Sequence, residues 1–209
     1  MAVFIAGLKV MDSKLNREVT FLPYIGSHYS SGGMLRRRVM VLGDSHYGDV
    51  PRAEITREVM RWYLDPDTER EGWMNTFVKF ERSLVGHETD WAERRAIWDS
   101  VMFYNYLQVL LSGPREAGTP EQYRDSAGAF YQVMEQQKPE VLIVWGKRLW
   151  DKLPGEGWED GSRVEVDGYE VPNGYYNLKN GHRVRAFCVY HPSVGYDWGY
   201  WHKVIAQFL

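Results

Sequence analysis

The stretch Val39-Met-Val-Leu-Gly-Asp-Ser-His-Tyr-Gly-Asp49 decides how the rest of the chain is read. Val39 to Leu42 run without a polar interruption and stop at Gly43, the pattern of a short strand buried on both faces. A polar loop bounded by Gly43 and Gly48 follows. Strands buried on both faces belong to parallel sheets covered by helices, and such sheets bind ligands beyond the carboxyl ends of their strands. A site is therefore expected where Gly43 gives way to Asp44, Ser45, His46 and Tyr47.

The same pattern recurs outward from this segment. After Asp49 and Pro51, the residues Ile55, Val59, Trp62 and Tyr63 follow helical spacing, with Pro51 suited to a first turn and Asp65-Pro66 as a stop. Asp90 to Trp98 reads as a helix, and Val101 to Tyr104, leading to Asn105, either continues it or forms a second strand, the reading preferred here. Gly113-Pro114 and Gly118-Thr119-Pro120 form a turn region. Tyr123, Ala127, Phe130, Tyr131 and Met134 then share one helical face that ends before Pro139. Val141 to Trp145 is a third buried strand, closed by Gly146 and a short helix with Leu149 and Trp150. Ala186 to Tyr190 is the fourth, followed by His191-Pro192-Ser193 and a last helix with Trp201, Val204, Ile205 and Phe208. Between them, Asp167-Gly168 and Asn180-Gly181 are hairpin turns, so residues 161–185 are expected as a small hairpin insertion or edge feature. The expected fold is a three-layer α/β/α sandwich around a central, mainly parallel four-stranded sheet.

A length of 209 residues suits one domain over residues 1–209, and no repeat or linker divides it. Trp 9, Tyr 14 and Phe 8 make 15% of the chain, more large rings than a core of this size hides, so some are expected to line a cleft. Lys+Arg 25 against Asp+Glu 28 leaves a net charge of -3, which excludes a global field drawing the protein onto nucleic acid or anionic membrane; any such binding needs a local patch. Cys188 is the only cysteine, so an intramolecular disulfide, a CxxC redox pair and a four-thiolate cluster are excluded. Met1 to Val10 lacks the marks of a secretory signal, and no apolar run reaches membrane-span length. A cytoplasmic protein without membrane contact is expected, and no obligate protein partner is evident.

Several residues at strand exits can carry chemistry. Gly43-Asp44-Ser45 is either a reactive loop or a turn with solvated side chains. His191 follows a buried strand and titrates near neutrality, or is held by a backbone carbonyl. Asn105 offers two donors and one acceptor for the edge of a planar heterocycle, or is a buried structural amide. His28, His46, His87, His182 and His202 show no paired metal-ligand spacing, so no metal is expected.

Taken in order, Gly-Asp-Ser-His-Tyr-Gly from 43 to 48, Tyr104-Asn105, Val-Leu-Ile-Val-Trp-Gly from 141 to 146 and Tyr-His-Pro-Ser from 190 to 193 resemble the uracil-DNA glycosylase superfamily. The likeness runs from Val39 to Leu209, with Phe21 to Gly33 as lead-in. It implies a DNA glycosylase that hydrolyses the N-glycosidic bond of a flipped uracil-like, damaged or modified base in single- or double-stranded DNA, without a cofactor. Asp44 would handle the attacking water and His191 would stabilise the leaving base. Tyr47 and Asn105 would shape and read the base pocket, with Ser45 and His46 beside them. Ser193, Lys147, Tyr196 and Trp198 would contact DNA, the last two as a wedge. The chain departs from the family where the best-known branch places its aspartate, at Ser45, and where the usual proline stands, at His46. Arg36-Arg37-Arg38 or Lys147-Arg148 are the candidate phosphate-binding cations, unless the triplet is only a solvated face. Since some relatives carry an iron-sulfur cluster, the single cysteine excludes that cofactor here.

Two other classes compete. A catalytically idle base-binding module of the same fold is favoured by Ser45. A Gly-Asp-Ser esterase is favoured by Gly43-Asp44-Ser45 with His191-Pro192, but the acid such enzymes place three residues earlier is Cys188.

Overall fold

The computed structural model describes residues 18–113, 116–193 and 195–209. The reading of Met1 to Val10 and the Pro114 turn lie outside them. The strands are β1 Tyr24–Ile25, β2 Val39–Gly43, β3 His46–Tyr47, β4 Val101–Asn105, β5 Leu110–Leu111, β6 Val141–Trp145, β7 Trp158–Asp160, β8 Glu165–Val166, β9 Tyr169–Glu170, β10 Asn173–Asn177 and β11 Arg183–Val189. The helices are α1 Ile55–Tyr63, α2 Met74–Val85, α3 Trp91–Asp99, α4 Pro120–Asp125, α5 Ala127–Gln137, α6 Lys147–Trp150 and α7 Trp198–Ile205.

The main sheet runs β1-β4-β2-β6-β11-β10-β7. Its four middle strands, β4, β2, β6 and β11, pair in parallel, while β1, β10 and β7 add antiparallel edges. The expected sheet of four strands is thus corrected to seven mixed ones. Every residue of β2, β4 and β6 is buried, as apolar runs without alternation require when both faces are covered. Alternate side chains feed two cores. Val39, Val41, Phe103 and Ile143 pack under α1, α2, α3 and α7, whereas Met40, Leu42, Tyr104 and Val144 meet α5 on the other face.

The region 161–185 is not a separate insertion. Of its strands, β8 and β9 stand outside the main sheet, joined by Asp167 and Gly168 at φ 49 and 83, as a two-residue primed turn demands. β10 pairs with β11 from Asn173↔Phe187 to Asn177↔Arg183, because its alternation buries Gly174 and Tyr176 against the sheet. The helical face expected through Tyr123 and Met134 is broken into α4 and α5. Ser126 accounts for the break: its hydroxyl donates to Gln122 O at 2.7 Å and accepts the Gln108 N–H at 3.1 Å. Pro51 precedes α1, which starts at Ile55, rather than opening it.

Helix α2 occupies a stretch for which no expectation was set, although Phe77, Phe80 and Leu84 carry helical spacing. It ends at Gly86, whose φ of 82 suits a residue without a Cβ. Glu81 on this helix is fully buried and ties three helices together. Tyr63 Oη donates to it at 2.6 Å, Trp98 Nε1 at 3.2 Å, Thr89 Oγ1 at 2.5 Å and Arg94 Nε at 3.1 Å. Burial and the neighbouring Glu81 charge push the Tyr63 phenol well above its ordinary pKa.

Candidate active site

A cavity of about 940 Å³ opens at the carboxyl ends of β2, β4, β6 and β11. Parallel pairing sets Gly43 opposite Asn105, and two further bonds, Tyr106 N–H to Gly43 O at 2.9 Å and Leu107 N–H to Asp44 O at 2.9 Å, lock the two strand ends. The cavity floor is aromatic: Phe77, Phe103 and Trp145 meet in edge-to-face and tilted pairs with centroids 5.2 to 5.7 Å apart. At the rim Tyr47, Trp62 and Tyr190 are 43%, 54% and 50% exposed. The excess of large rings over core capacity thus finds its place here.

Of the residues singled out from sequence, Asp44, Ser45, His46, Tyr47 and Asn105 line this cavity from the β2 and β4 ends. Lys147, His191, Ser193 and Tyr196 line it from the β6 and β11 side. Trp198 is not among the lining residues; it starts α7 and packs half-buried against the core. Tyr196 is only 6% exposed, stacks on Trp201 and donates from Oη to Ser83 Oγ at 2.9 Å. Tyr196, so packed, is not poised to enter a base stack, whereas Trp198 stays partly exposed beside the core. Val194, between them and His191, lies outside the described residues.

Asp44 is 8% exposed, and each carboxylate oxygen already has a donor: Tyr123 Oη reaches Oδ1 at 2.9 Å and Arg148 Nη2 reaches Oδ2 at 2.5 Å. An ionised carboxylate offers about four acceptor sites, so roughly two remain for water or substrate. Burial raises the Tyr123 phenol far above its usual range, and the Asp44 charge adds to the shift. Neither partner was assigned to Asp44 from sequence, since 79 and 104 positions separate them from it.

His191 is reached directly from solvent, and Trp145 stands edge-on to it at 6.1 Å. Desolvation by the cavity walls lowers its pKa; the Asp44 charge opposes that shift and Arg148 reinforces it. In its neutral form the imidazole still donates one hydrogen bond. Ser193 N–H to His191 O at 2.7 Å and Lys79 Nζ to Ser193 O at 2.6 Å pin the His-Pro-Ser loop onto α2. Gly146 sits at φ 96, a backbone conformation that favours glycine, and a Cβ there would make ordinary contact with the His191 Cβ at 3.4 Å.

His46 is buried, with Nε2 2.8 Å from Thr56 Oγ1 and 3.1 Å from Asn105 Nδ2. Burial lowers its pKa to about 4. Gln108 accepts from the Thr20 and Phe21 N–H groups and donates to Asn105 O at 3.2 Å, so Asn105 is held through backbone and side chain alike. Ser45 Oγ and Trp145 Nε1 are buried polar atoms of the cavity wall without a hydrogen-bond partner among the described residues.

The cations divide. Arg37 and Arg38 bond Leu209 O and Lys138 O before the start of β2, at the opposite end of the sheet from the cavity, so the arginine triplet is corrected to a role away from the site. Lys147, at the rim, pairs with Asp151 at 2.9 Å. Among the described residues no group of three or more His, Cys, Asp or Glu could hold a metal ion, and no helix is long and apolar enough to cross a membrane. Compared with known proteins, the chain matches no protein-family model and no curated protein sequence.

Proposed function

We propose that the cavity receives a nucleobase extruded from DNA and that the chain hydrolyses its N-glycosidic bond, as the resemblance to uracil-DNA glycosylases implies. The observation that carries this reading is the convergence of Asp44, Asn105 and His191, from the ends of β2, β4 and β11, on one aromatic cavity. Breaking the C1′–N bond sends its electron pair to the base and leaves positive charge on the sugar. The His191 imidazole N–H donates to the oxygen on which the base becomes negative. Asp44, held by Tyr123 and Arg148, orients a water whose oxygen bonds C1′ and whose proton the carboxylate takes up. The rings of the floor and rim replace the stacking that the base loses on leaving the duplex.

The test is a gel assay on single- and double-stranded oligonucleotides carrying a panel of uracil-like, deaminated and alkylated bases, developed by alkaline cleavage at abasic sites. A strand cut at the odd base supports excision. A second reading, a module that grips a base without cleaving it, is favoured by the two donors already on Asp44 and by Ser45, whose hydroxyl is no general base at neutral pH. Retarded but uncut oligonucleotides would select it. The esterase reading needs a serine hydroxyl bonded to a ring nitrogen, and among the described residues Ser45 Oγ has no hydrogen-bond partner.

A further inference from the structure

Asn105 and His46 form a contact with a consequence for what the cavity reads. Asn105 Nδ2 lies 3.1 Å from His46 Nε2, while its Oδ1 lies so close over Gly43, a residue of the cavity wall, that a Cβ there would meet it at 2.2 Å. With the amide nitrogen as the donor in this contact, Nε2 is the acceptor, the unprotonated nitrogen of a neutral ring. Phe21 closes on the ring edge-to-face at 5.4 Å, and the rotatable Thr56 hydroxyl, 2.8 Å from the same nitrogen, is then a second donor sharing that acceptor. An unsecured asparagine amide could turn over and present either end to a ligand.

We propose that His46 is a positioning residue: its Nε2 holds the amide nitrogen of Asn105, so that Asn105 shows the cavity its oxygen alone and the bound base is recognised by an N–H on its edge. The role rests on the base-binding reading above, since it takes a base as the occupant. Gly43 belongs to the same device, because a side chain there would displace the oxygen that does the reading. Thr56 and Phe21 supply the fixed surround for the imidazole.

The test compares 1-methyluracil, which carries an N3–H, with 1,3-dimethyluracil, which does not, by quenching of the cavity tryptophans Trp62, Trp73 and Trp145. The wild type should bind the first about tenfold more tightly, because the second leaves a buried acceptor unpaired. His46→Phe should bring the ratio to within about twofold, and His46→Gln, whose amide oxygen can again accept from Asn105, should restore it. A ratio unchanged in His46→Phe overturns the positioning role while leaving the base pocket intact. Failure of the wild type to bind either compound overturns the base-pocket reading and this role with it. Should His46→Phe not fold, 15N NMR of the wild-type imidazole decides: an unprotonated Nε2 at pH 7 is expected, and a proton on Nε2 overturns the proposal.

Discussion

Arg148 and Asp44 meet at 2.5 Å, guanidinium nitrogen to carboxylate oxygen, with the acid buried and the arginine 46% open to solvent. Both charges also act on His191, and in opposite senses. Asp44→Asn removes the charge that raises the His191 pKa, so that pKa should move further down. Arg148→Met removes a charge that lowers it, so the pKa should rise. NMR titration of His191 reads both, and shifts of reversed sign would show that the three groups do not share one field. On the excision reading, His191→Ala should slow base release on the order of a hundredfold, the usual effect of losing one preorganised donor, as followed by single-turnover assays.

His46 makes stability depend on pH. Its pKa falls from the ordinary 6.5 to about 4 on folding, so between those values the unfolded chain binds more protons than the folded one. The contribution is fully present above pH 6.5 and is lost as pH falls toward 4, by roughly 3 kcal/mol for a shift of this size. His46→Gln should flatten this part of the profile. Urea unfolding of both proteins at pH 7 and pH 4.5 measures it, and parallel losses would contradict it.

Glu81 should be the costliest side chain to isolate. Arg94→Met leaves a carboxylate of 0% exposure with three neutral donors and no countercharge. The expected loss is about 3–5 kcal/mol. A lowered denaturant midpoint with unchanged slope would be the signature.

Tyr196→Phe separates packing from DNA insertion. The ring stays stacked on Trp201 and only the bond to Ser83 is lost, so stability should drop by about 1 kcal/mol. Activity on duplex and single-stranded oligonucleotides should keep its ratio. A selective loss on duplex would return Tyr196 to the wedge.

The four parallel strands were legible because Val39 to Leu42, Val101 to Tyr104, Val141 to Trp145 and Ala186 to Val189 are apolar without alternation, the pattern of double burial; the last was expected to reach Tyr190, which instead stands half-exposed past the strand end. The site's location followed from the rule that ligands collect at the carboxyl ends of such strands, which places Asp44, Asn105 and His191 together. Partner choice was not legible. Tyr123 looks from sequence like one more residue of a buried helical face, and its hydroxyl instead reaches Asp44. Tyr196 sits in a run of polar and aromatic residues, and its burial is decided by Ser83 and Trp201, not by local spacing. The antiparallel strand β10, split by Gly174 and flanked by asparagines, gives a weak strand pattern that its neighbours override.

Helix α2 serves three masters at once: Glu81 knots it to α1 and α3, Phe77 paves the cavity, and Lys79 tethers the loop that bears His191. Thermal softening of that knot therefore cannot be confined to the scaffold. Any variant that loosens the three-helix junction should blunt ligand grip at temperatures below global melting, so heat tolerance and working aperture in this molecule are inherited as one trait.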